Sequence, residues 1–460
     1  MVQAVLVLDV GKTHAKLTLV GLDSALIAIR SRVNAVRHAD GPWILDTDGV
    51  EAWLLATADE LAPLAEVVAI VPVAHGATAA LVSGGALAAP VLDYEQAIPE
   101  AVTAAYDLER DPFDQTYSPR LPVGLNLGRQ LFWQEQLYPD LWPKGTTVLP
   151  WPQYWAWRLC GEIASEVSSL GCHTDLWLPY AGEYSDLVQR RGWAERFGPT
   201  RLAGETLGTL RPDLAARTGL PTNCAVLCGV HDNNASLWAV RGTPSLRNTA
   251  FSLVSTGTWF VAFQVGGEGR PALDPARDTL VNVGVDRAPI ASARFMGGRE
   301  YALIVGGDFG ASGTLADAEN LVRRGVMTSP SFVLDCGPFP HAQGQVIGEP
   351  ATARERAALA SLHLALMTSA SLDLIGASGP VVIEGRFAED AVYAAVLAAL
   401  RPASPVLSWP GGDGAALGAA RLWSPDLATG PAPTRARPIP FDLTDYADRW
   451  RARAAEISRR

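Results

Sequence analysis

The stretch 5-VLVLDVGKTHAKLTLV-20 sets two apolar, β-branched runs on either side of a short polar segment, Asp9-Val10-Gly11-Lys12-Thr13-His14. Runs of this kind read as strands and the segment between them as a hairpin turn, with Gly11 where the backbone must bend. The first strand ends by presenting a carboxylate, Asp9, beside a glycine, a lysine and a threonine hydroxyl. Backbone N–H groups, a hydroxyl and a cation in a tight turn suit a phosphate, and an adjacent carboxylate suits the Mg²⁺ that accompanies it. An Asp and a Gly in a strand–turn–strand unit can equally serve conformation alone, so the reading depends on what the rest of the chain supplies.

The bulk properties frame that question. A chain of 460 residues exceeds one ordinary core and points to two or three domains. With 48% hydrophobic and 18% charged residues the composition is that of a packed globular protein and excludes general disorder. The net charge of −11, with both signs interspersed, argues against nucleic acid or an anionic membrane as the main partner. The five cysteines are scattered. Cys224 and Cys228 lie close, but inside an apolar strand-like run with no second Cys/His pair, so reduced thiols in a cytosolic protein are expected. The N-terminus enters directly on a core strand without a basic-then-apolar leader. No uninterrupted apolar run reaches the ~18 residues of a membrane span, so a cytoplasmic protein is expected.

Outward from the hairpin, Leu26 to Asn34 reads as a third strand, Asp48 to Glu60 as an amphipathic helix and Glu66 to Val73 (EVVAIVPV) as a strand buried on both faces. Three strands, a helix and a buried strand make an α/β layer. Ligands in such folds bind at the carboxyl ends of strands, and there the chain places His75-Gly76. This is a candidate contact for a sugar or polyol, although a histidine satisfied by local backbone reads equally well. The apolar run Leu87 to Leu92 again ends in polar groups, Asp93-Tyr94-Glu95. Residues 107–150 resemble an insertion of loops with a helix around Gln130 to Leu137. The aromatic cluster of residues 151–157 (WPQYWAW), running into a helix that ends near Leu159, reads as core packing more readily than as a stacking platform. Ser185 to Phe197 reads as another helix. His173 and Asp175 hint at a metal, but no third ligand has suitable spacing.

Ala225 to Trp238 (AVLCGVHDNNASLW) is the decisive second stretch. A buried strand ends at Gly229, His231-Asp232-Asn233-Asn234 follows, and a helix begins near Ala235. A carboxylate there can simply cap the helix; it is also placed to accept a proton from a bound hydroxyl. After the joint Arg241-Gly242-Thr243-Pro244 the opening pattern returns. Thr249 to Val254 reads as a strand, Ser255-Thr256-Gly257-Thr258 as a turn and Trp259 to Val265 as a strand. This internal echo implies two related domains, each presenting a phosphate-binding hairpin to a common cleft. Pro380 to Glu384 then reads as a buried strand ending in Gly385-Arg386-Phe387, followed by a helix from Glu389 to Leu400. A strand from Pro405 to Trp409 leads through Gly411-Gly412-Asp413-Gly414 into the helix Ala415 to Trp423. Glycines at 385, 412 and 414 allow close approach to a flat ligand such as a nucleotide base, or serve only as turns and caps.

These segments together resemble the FGGY carbohydrate kinases, relatives of actin, the heat-shock chaperone ATPases and hexokinase, over nearly the whole chain. LDVGKTHAKL is similar to the first phosphate turn, VAHGA to a sugar-contact segment, CGVHDNNAS to the segment with the catalytic Asp, VSTGTW to the second phosphate turn, VIEGRFAED to the adenosine segment and GDGAALGAA to the closing helix. The sequence differs in having Lys12-Thr13-His14 where many relatives have Thr-Thr-Ser, and one glycine between Glu384 and Arg386 where many have more. The resemblance implies an α/β fold of two ribonuclease-H-like (actin-like ATPase) domains, residues 1–241 and 242–460, each a mixed five-stranded sheet with flanking helices, around a deep cleft. It implies ATP and Mg²⁺ as cofactors and a small sugar as partner, with a homodimer left open. By role, Asp232 would be the catalytic base and Asp9 would hold Mg²⁺ through water. Gly11, Lys12, Thr13, Lys16, Thr256, Gly257, Thr258, Gly385, Gly412 and Gly414 would face ATP. His75, Gly76, Glu95, His231 and Asp232 would meet the sugar. The His-Asp and His-Gly pairs look like those of ketose-using members, so L-fuculose, L-rhamnulose or a pentulose is the expected substrate. An actin-like ATPase and an inactive sugar-binding regulator are the alternatives on the same fold.

Overall fold

The computed structural model describes residues 1–37, 41–142, 145–267, 269–307, 310–409, 413–428 and 432–457. The chain forms two compact units: Met1–Arg247 with Val281–Pro289 and Asp413–Gly430, and Asn248–Leu280 with Ile290–Gly412 and Pro431–Arg460.

In the first unit the opening stretch forms strands β1 (Gln3–Val10) and β2 (His14–Gly21), followed by β3 (Leu26–Val33) and, after a helix at Thr47–Leu61, β4 (Glu66–Ala74). β1 pairs antiparallel with β2 on one side and parallel with β4 on the other. It is therefore buried on both faces, and this is why its residues run apolar without alternation. β5 (Ala225–Leu227) continues the sheet beside β4, and Val230–His231 pairs with the end of the same strand. The break between them is Gly229, at φ +89°, where a Cβ would come 2.6 Å from the Pro72 carbonyl oxygen. The ladder aligns Asp9 with Lys16 and Val73, and Ala74 with both Val10 and His231. Asp9, His75 and Asp232 therefore emerge along one edge of the sheet, at the carboxyl ends of three neighbouring parallel segments. From there helix α1 (Asp232–Arg241) runs away and packs against the helix Gly414–Trp423. The approach is close enough that a Cβ on Gly418 would fall 1.7 Å from the Ala235 carbonyl oxygen.

The second unit repeats the plan. β6 (Phe251–Thr256) pairs antiparallel with β7 (Phe260–Val265), which pairs antiparallel with β8 (Pro289–Phe295). On its other side β6 pairs parallel with β9 (Val381–Gly385), which pairs parallel with β10 (Val406–Trp409). Under this sheet lies helix α2 (Ala353–Leu374). Among the described residues it alone is long and apolar enough to cross a membrane, but 83% of its apolar window is buried within the protein.

Among the described residues each of the two large sheets has seven strands, not five. In the first, Gly229 divides one strand into two and Thr206–Thr209 adds an edge; in the second, Thr279–Val283 and Thr434–Arg435 are added edges. Short edge strands of this kind cover main-chain groups that the five central strands would leave unpaired. The helix expected over Ser185 to Phe197 is shorter, Asp186–Arg190 followed by a single turn at Ala194–Arg196. Gly192, in the left-handed region at φ +65°, interrupts it. The segment before Asp93 is not one strand either. Ala79–Ser83 reverses at Gly84-Gly85, both at positive φ, into the short Ala86–Leu87. The aromatic cluster is core: Trp151, Tyr154, Trp155 and Trp157 are all buried, in a helix Trp151–Cys160. All five cysteines are unpaired.

Candidate active site

At the turn of the first unit, Lys16 faces Asp9 across the β1–β2 ladder, as directly opposed side chains do. Its ammonium lies 3.2 Å from Asp9 and 2.8 Å from Asp413. Asp413 caps the helix Gly414–Trp423 by accepting the Ala416 N–H at 3.2 Å with its other oxygen. Burial raises the Asp9 carboxyl to about 7; Lys16 opposes this, and the charges of Asp232 and Asp413 add to it. Burial works against the Lys16 ammonium, but Asp9 and Asp413 hold its pKa above the ordinary value. One lysine thus stands among three carboxylates, a site short of positive charge.

Asp232 is the first residue of α1. Burial raises its carboxyl to about 6, with the Asn233 N–H and Lys16 pulling the other way, while about a third of its side chain still reaches solvent. His231 Nε2 lies 3.2 Å from Asp232 Oδ1, and Asn234 Nδ2 lies 3.3 Å from His231 Nδ1. Burial depresses the His231 ring to about 4, so it is neutral at pH 7. Behind the pair, the His231 N–H donates to Ser168 Oγ at 3.2 Å, and that hydroxyl donates to the buried Glu166. Burial raises the Glu166 carboxyl to about 7.

His75 follows the end of β4, and neither of its ring nitrogens finds a partner among the described residues although the ring is only 8% exposed. Burial, aided by His231 and Lys12, lowers its pKa to about 3. Its neighbours are Tyr94, edge-on at 5.1 Å, and Trp151 at 6.4 Å. Gly76 is a packing residue here: a Cβ would meet Cys172 Sγ at 2.5 Å and the His231 ring at 2.9 Å. Its small size lets the His75 and His231 segments approach. The insertion closes over this side. Gln130 donates to the carbonyls of Ala77 and Gly124, and the Gly124 N–H donates to the Tyr94 carbonyl at 2.8 Å. Asn126 and Arg110 hold the fully buried Asp175.

Lys12 departs from the position expected of a phosphate ligand. Its ammonium pairs with Asp93, lies 3.3 Å from Glu95 and sits 5.5 Å from the Tyr94 ring centroid. Gly11 and Thr13 remain in the turn, where the Gly11 N–H closes the hairpin on the His14 carbonyl at 3.0 Å and Thr13 is exposed.

In the second unit, the turn after β6 presents Gly257 and Thr258 to solvent. Thr256 does different work from that expected. It is buried, its hydroxyl donates to the Glu384 carbonyl at 2.5 Å and accepts the Phe387 N–H at 3.0 Å, so it ties the turn to the end of β9 and the residues after it. Gly385, at φ +80°, faces it in the ladder, and a Cβ there would lie 2.3 Å from the Thr256 carbonyl oxygen. Gly414 is the first residue of its helix, and Gly412 lies outside the described residues.

Among the described residues no three His, Cys, Asp or Glu groups converge as a metal cage. The donors that are present, Asp9 with Asp413 and Asp232 nearby, are hard oxygens. That suits Mg²⁺, which keeps most of its waters and takes one or two carboxylates together with substrate phosphates. Asp413, Asp93, Tyr94, Glu166 and Ser168 were not singled out as site residues. The hairpin register and the capping position of Asp413 were available signals; nothing local marks Glu166.

A family model described as "Carbohydrate kinase FGGY, C-terminal domain" matches residues 248–431. A solved carbohydrate kinase from Novosphingobium aromaticivorans is 42% identical, covers 99% of each chain and superposes with a TM-score of 0.93. A xylulose kinase from Rhodospirillum rubrum, 19% identical over 99% of this chain and 97% of its own, has a TM-score of 0.77 and shows the shared fold. L-fuculokinase of Escherichia coli K12 is 26% identical over 271 residues, 56% of this chain and 55% of its own length, so the match spans about half of that curated relative.

Proposed function

We propose that this chain, which belongs to the FGGY family of carbohydrate kinases, transfers the γ-phosphoryl group of ATP to a hydroxyl of a small ketose. Asp232 is the base in this reading. The observation that carries it is the placement of Asp232 at the start of α1, beside the neutral His231 and within the field of Lys16. A carboxylate with a pKa near 6 is ionised at neutral pH yet basic enough to take a proton from an attacking hydroxyl as it becomes an alkoxide, a contribution of ~10²–10⁴ in rate. His231 fixes the orientation of the carboxylate without adding charge. Phosphoryl transfer demands mainly positioning and neutralisation. Lys16 balances charge at Asp9 and Asp413, which would hold Mg²⁺ through water; the ion when bound neutralises the phosphate oxygens. Gly11 and Thr13 of the first hairpin turn, and Gly257 and Thr258 of the second, are the proposed phosphate-binding residues. Gly385 and Gly414 line the path of the nucleotide, and His75 and His231 contact the sugar. The unpaired cysteines suit a reducing compartment, and we assign the protein to the cytoplasm.

A single panel tests the reading: ATP consumption against ketoses, aldoses and polyols. Turnover with one ketose is expected. Hydrolysis independent of any sugar, or sugar binding without turnover, would replace the reading with an ATPase or a regulator. Asp232→Asn should keep ATP binding and lose ~10²–10⁴ in kcat; survival of turnover would remove Asp232 from its role.

A further inference from the structure

We propose that Lys12 reads the substrate rather than the phosphates, donating a hydrogen bond to an oxygen of an uncharged sugar. The assignment rests on the kinase reading above. Although Lys12 sits in the phosphate turn, its side chain is only 13% exposed and its ammonium is drawn to the segment that follows the His75 strand. Asp93 is the anchor. It is buried to 1%, its N–H is fixed on the Trp43 carbonyl at 2.9 Å, and its second oxygen accepts the Glu95 N–H at 2.9 Å. With one oxygen held by the backbone and the other by Lys12, Asp93 positions the ammonium. To move Lys12 onto a phosphate would leave that buried carboxylate without its counter-charge, a costly exchange.

An ammonium carries three N–H donors. Asp93 accepts one and Glu95 stands at ion-pair distance, 3.3 Å, so at least one donor is left for a ligand. Lys12 and His75 flank the same ring, Tyr94, at 5.5 Å and 5.1 Å from its centroid. His75 is neutral, more than nine-tenths buried, and has both ring nitrogens unpartnered among the described residues. A buried ring with no partner is a group waiting for one. A cationic donor and a neutral ring that can accept, placed around one tyrosine, match a pair of sugar oxygens, one accepting and one donating. The charges narrow the class. Lys12 is matched by two carboxylates and so is Lys16, and Asp232 adds another negative group. The two lysines therefore leave no surplus positive charge for a substrate carboxylate, and an uncharged ketose is favoured over a sugar acid.

The test separates sugar from nucleotide. With the full chain and the ketose turned over in the panel, Lys12→Met should raise the sugar KM by ~10–100-fold while the KM for MgATP stays within about twofold, and the wild type should not turn over D-gluconate. A raised KM for MgATP with an unchanged sugar KM would return Lys12 to the phosphates and overturn the proposal, as would no change in either. Efficient turnover of D-gluconate would overturn the assignment to an uncharged sugar. Should Lys12→Met fail to fold, Lys12→Arg and Glu95→Gln take its place, with the same split expected on a smaller scale. Calorimetric binding of D-xylulose, L-fuculose and ADP keeps the two readings apart. If no sugar is phosphorylated but Lys12→Met weakens sugar binding with ADP binding intact, the kinase reading fails and the assignment of Lys12 stands. If no sugar binds, both fail.

Discussion

In the hairpin of β1 and β2, the second rung from the turn pairs Asp9 with Lys16; in the hairpin of β6 and β7, the same rung pairs Ser255 with Val261. The backbones follow one plan. Each first strand is flanked by an antiparallel partner and a parallel one, and each turn glycine closes the hairpin with its N–H, Gly11 on His14 and Gly257 on Trp259, both at 3.0 Å. The side chains divide the labour. The first turn concentrates charge in a desolvated place, and Asp9 responds with a carboxyl raised to about 7. The second carries hydroxyls and one glycine, with Thr256 turned inward to lock β6 onto the segment after β9. One topological slot thus supplies carboxylates suited to a metal in one unit and neutral donors in the other. Topology sets where a turn sits; one side chain sets what it can bind.

The comparison can be broken by equivalent substitutions. Asp9→Asn should lower kcat by ~10²–10³-fold and raise the Mg²⁺ concentration needed for half-maximal rate. Ser255→Ala, on the matching rung, should change kcat by less than about fivefold. Similar losses at the two positions, measured under saturating substrates, would erase the division of labour. Next in size is the strain at the second hairpin. Gly385→Ala forces a Cβ onto φ +80° and within 2.3 Å of the Thr256 carbonyl oxygen, and should cost about 1–3 kcal/mol in denaturant unfolding. Gly11→Ala meets only the His14 carbonyl at 3.1 Å, without a positive φ, and should cost less than about 1 kcal/mol. A reversed order would show that the first turn is the tighter one.

The smallest effect is in the pH dependence. As the proposed base, Asp232 would have to be ionised, and its pKa is raised to about 6, so kcat/KM should fall about tenfold per unit below that pH. If Asp9, raised to about 7, holds the proposed Mg²⁺, a proton would compete with the ion there, so the apparent Mg²⁺ affinity should weaken as pH drops below 7. A kcat/KM profile flat down to pH 5 would remove the burial that distinguishes this site. The two carboxyls interact, so the profile reports their combined titration.

Much of the central sheet was legible because burial on both faces leaves a strong signature. Residues 5–8, 67–73 and 381–383 are uninterrupted apolar runs, and they form the parallel middles of the sheets. The span from 266 to 379 carries no comparable signal in the sequence, yet it contains Thr279–Val283, β8, α2 and the helices Gly297–Val305 and Leu315–Arg324. Of these, α2 is buried almost all round, so it lacks the one-sided apolar stripe by which a surface helix announces itself. Site residues divide in the same way. Asp9, His75 and Asp232 stand out in the sequence as candidates because each lies at or just beyond the carboxyl end of a strand. Thr256 was misread because a threonine in a turn looks alike whether its hydroxyl points out or back into the sheet.

The sequence by itself determined the repeated strand–turn–strand plan, the carboxylates at 9 and 232 and their attachment to strand ends, since these follow from apolar periodicity and local turn chemistry. Tertiary structure alone decided which charge answers which. Lys16 meets Asp413 across nearly four hundred residues, and Lys12 leaves its own turn for Asp93, eighty-one residues away. Hydrophobic pattern specifies burial over short windows, whereas the pairing of buried charges depends on distances that exist only once the sheet has closed and water has been excluded.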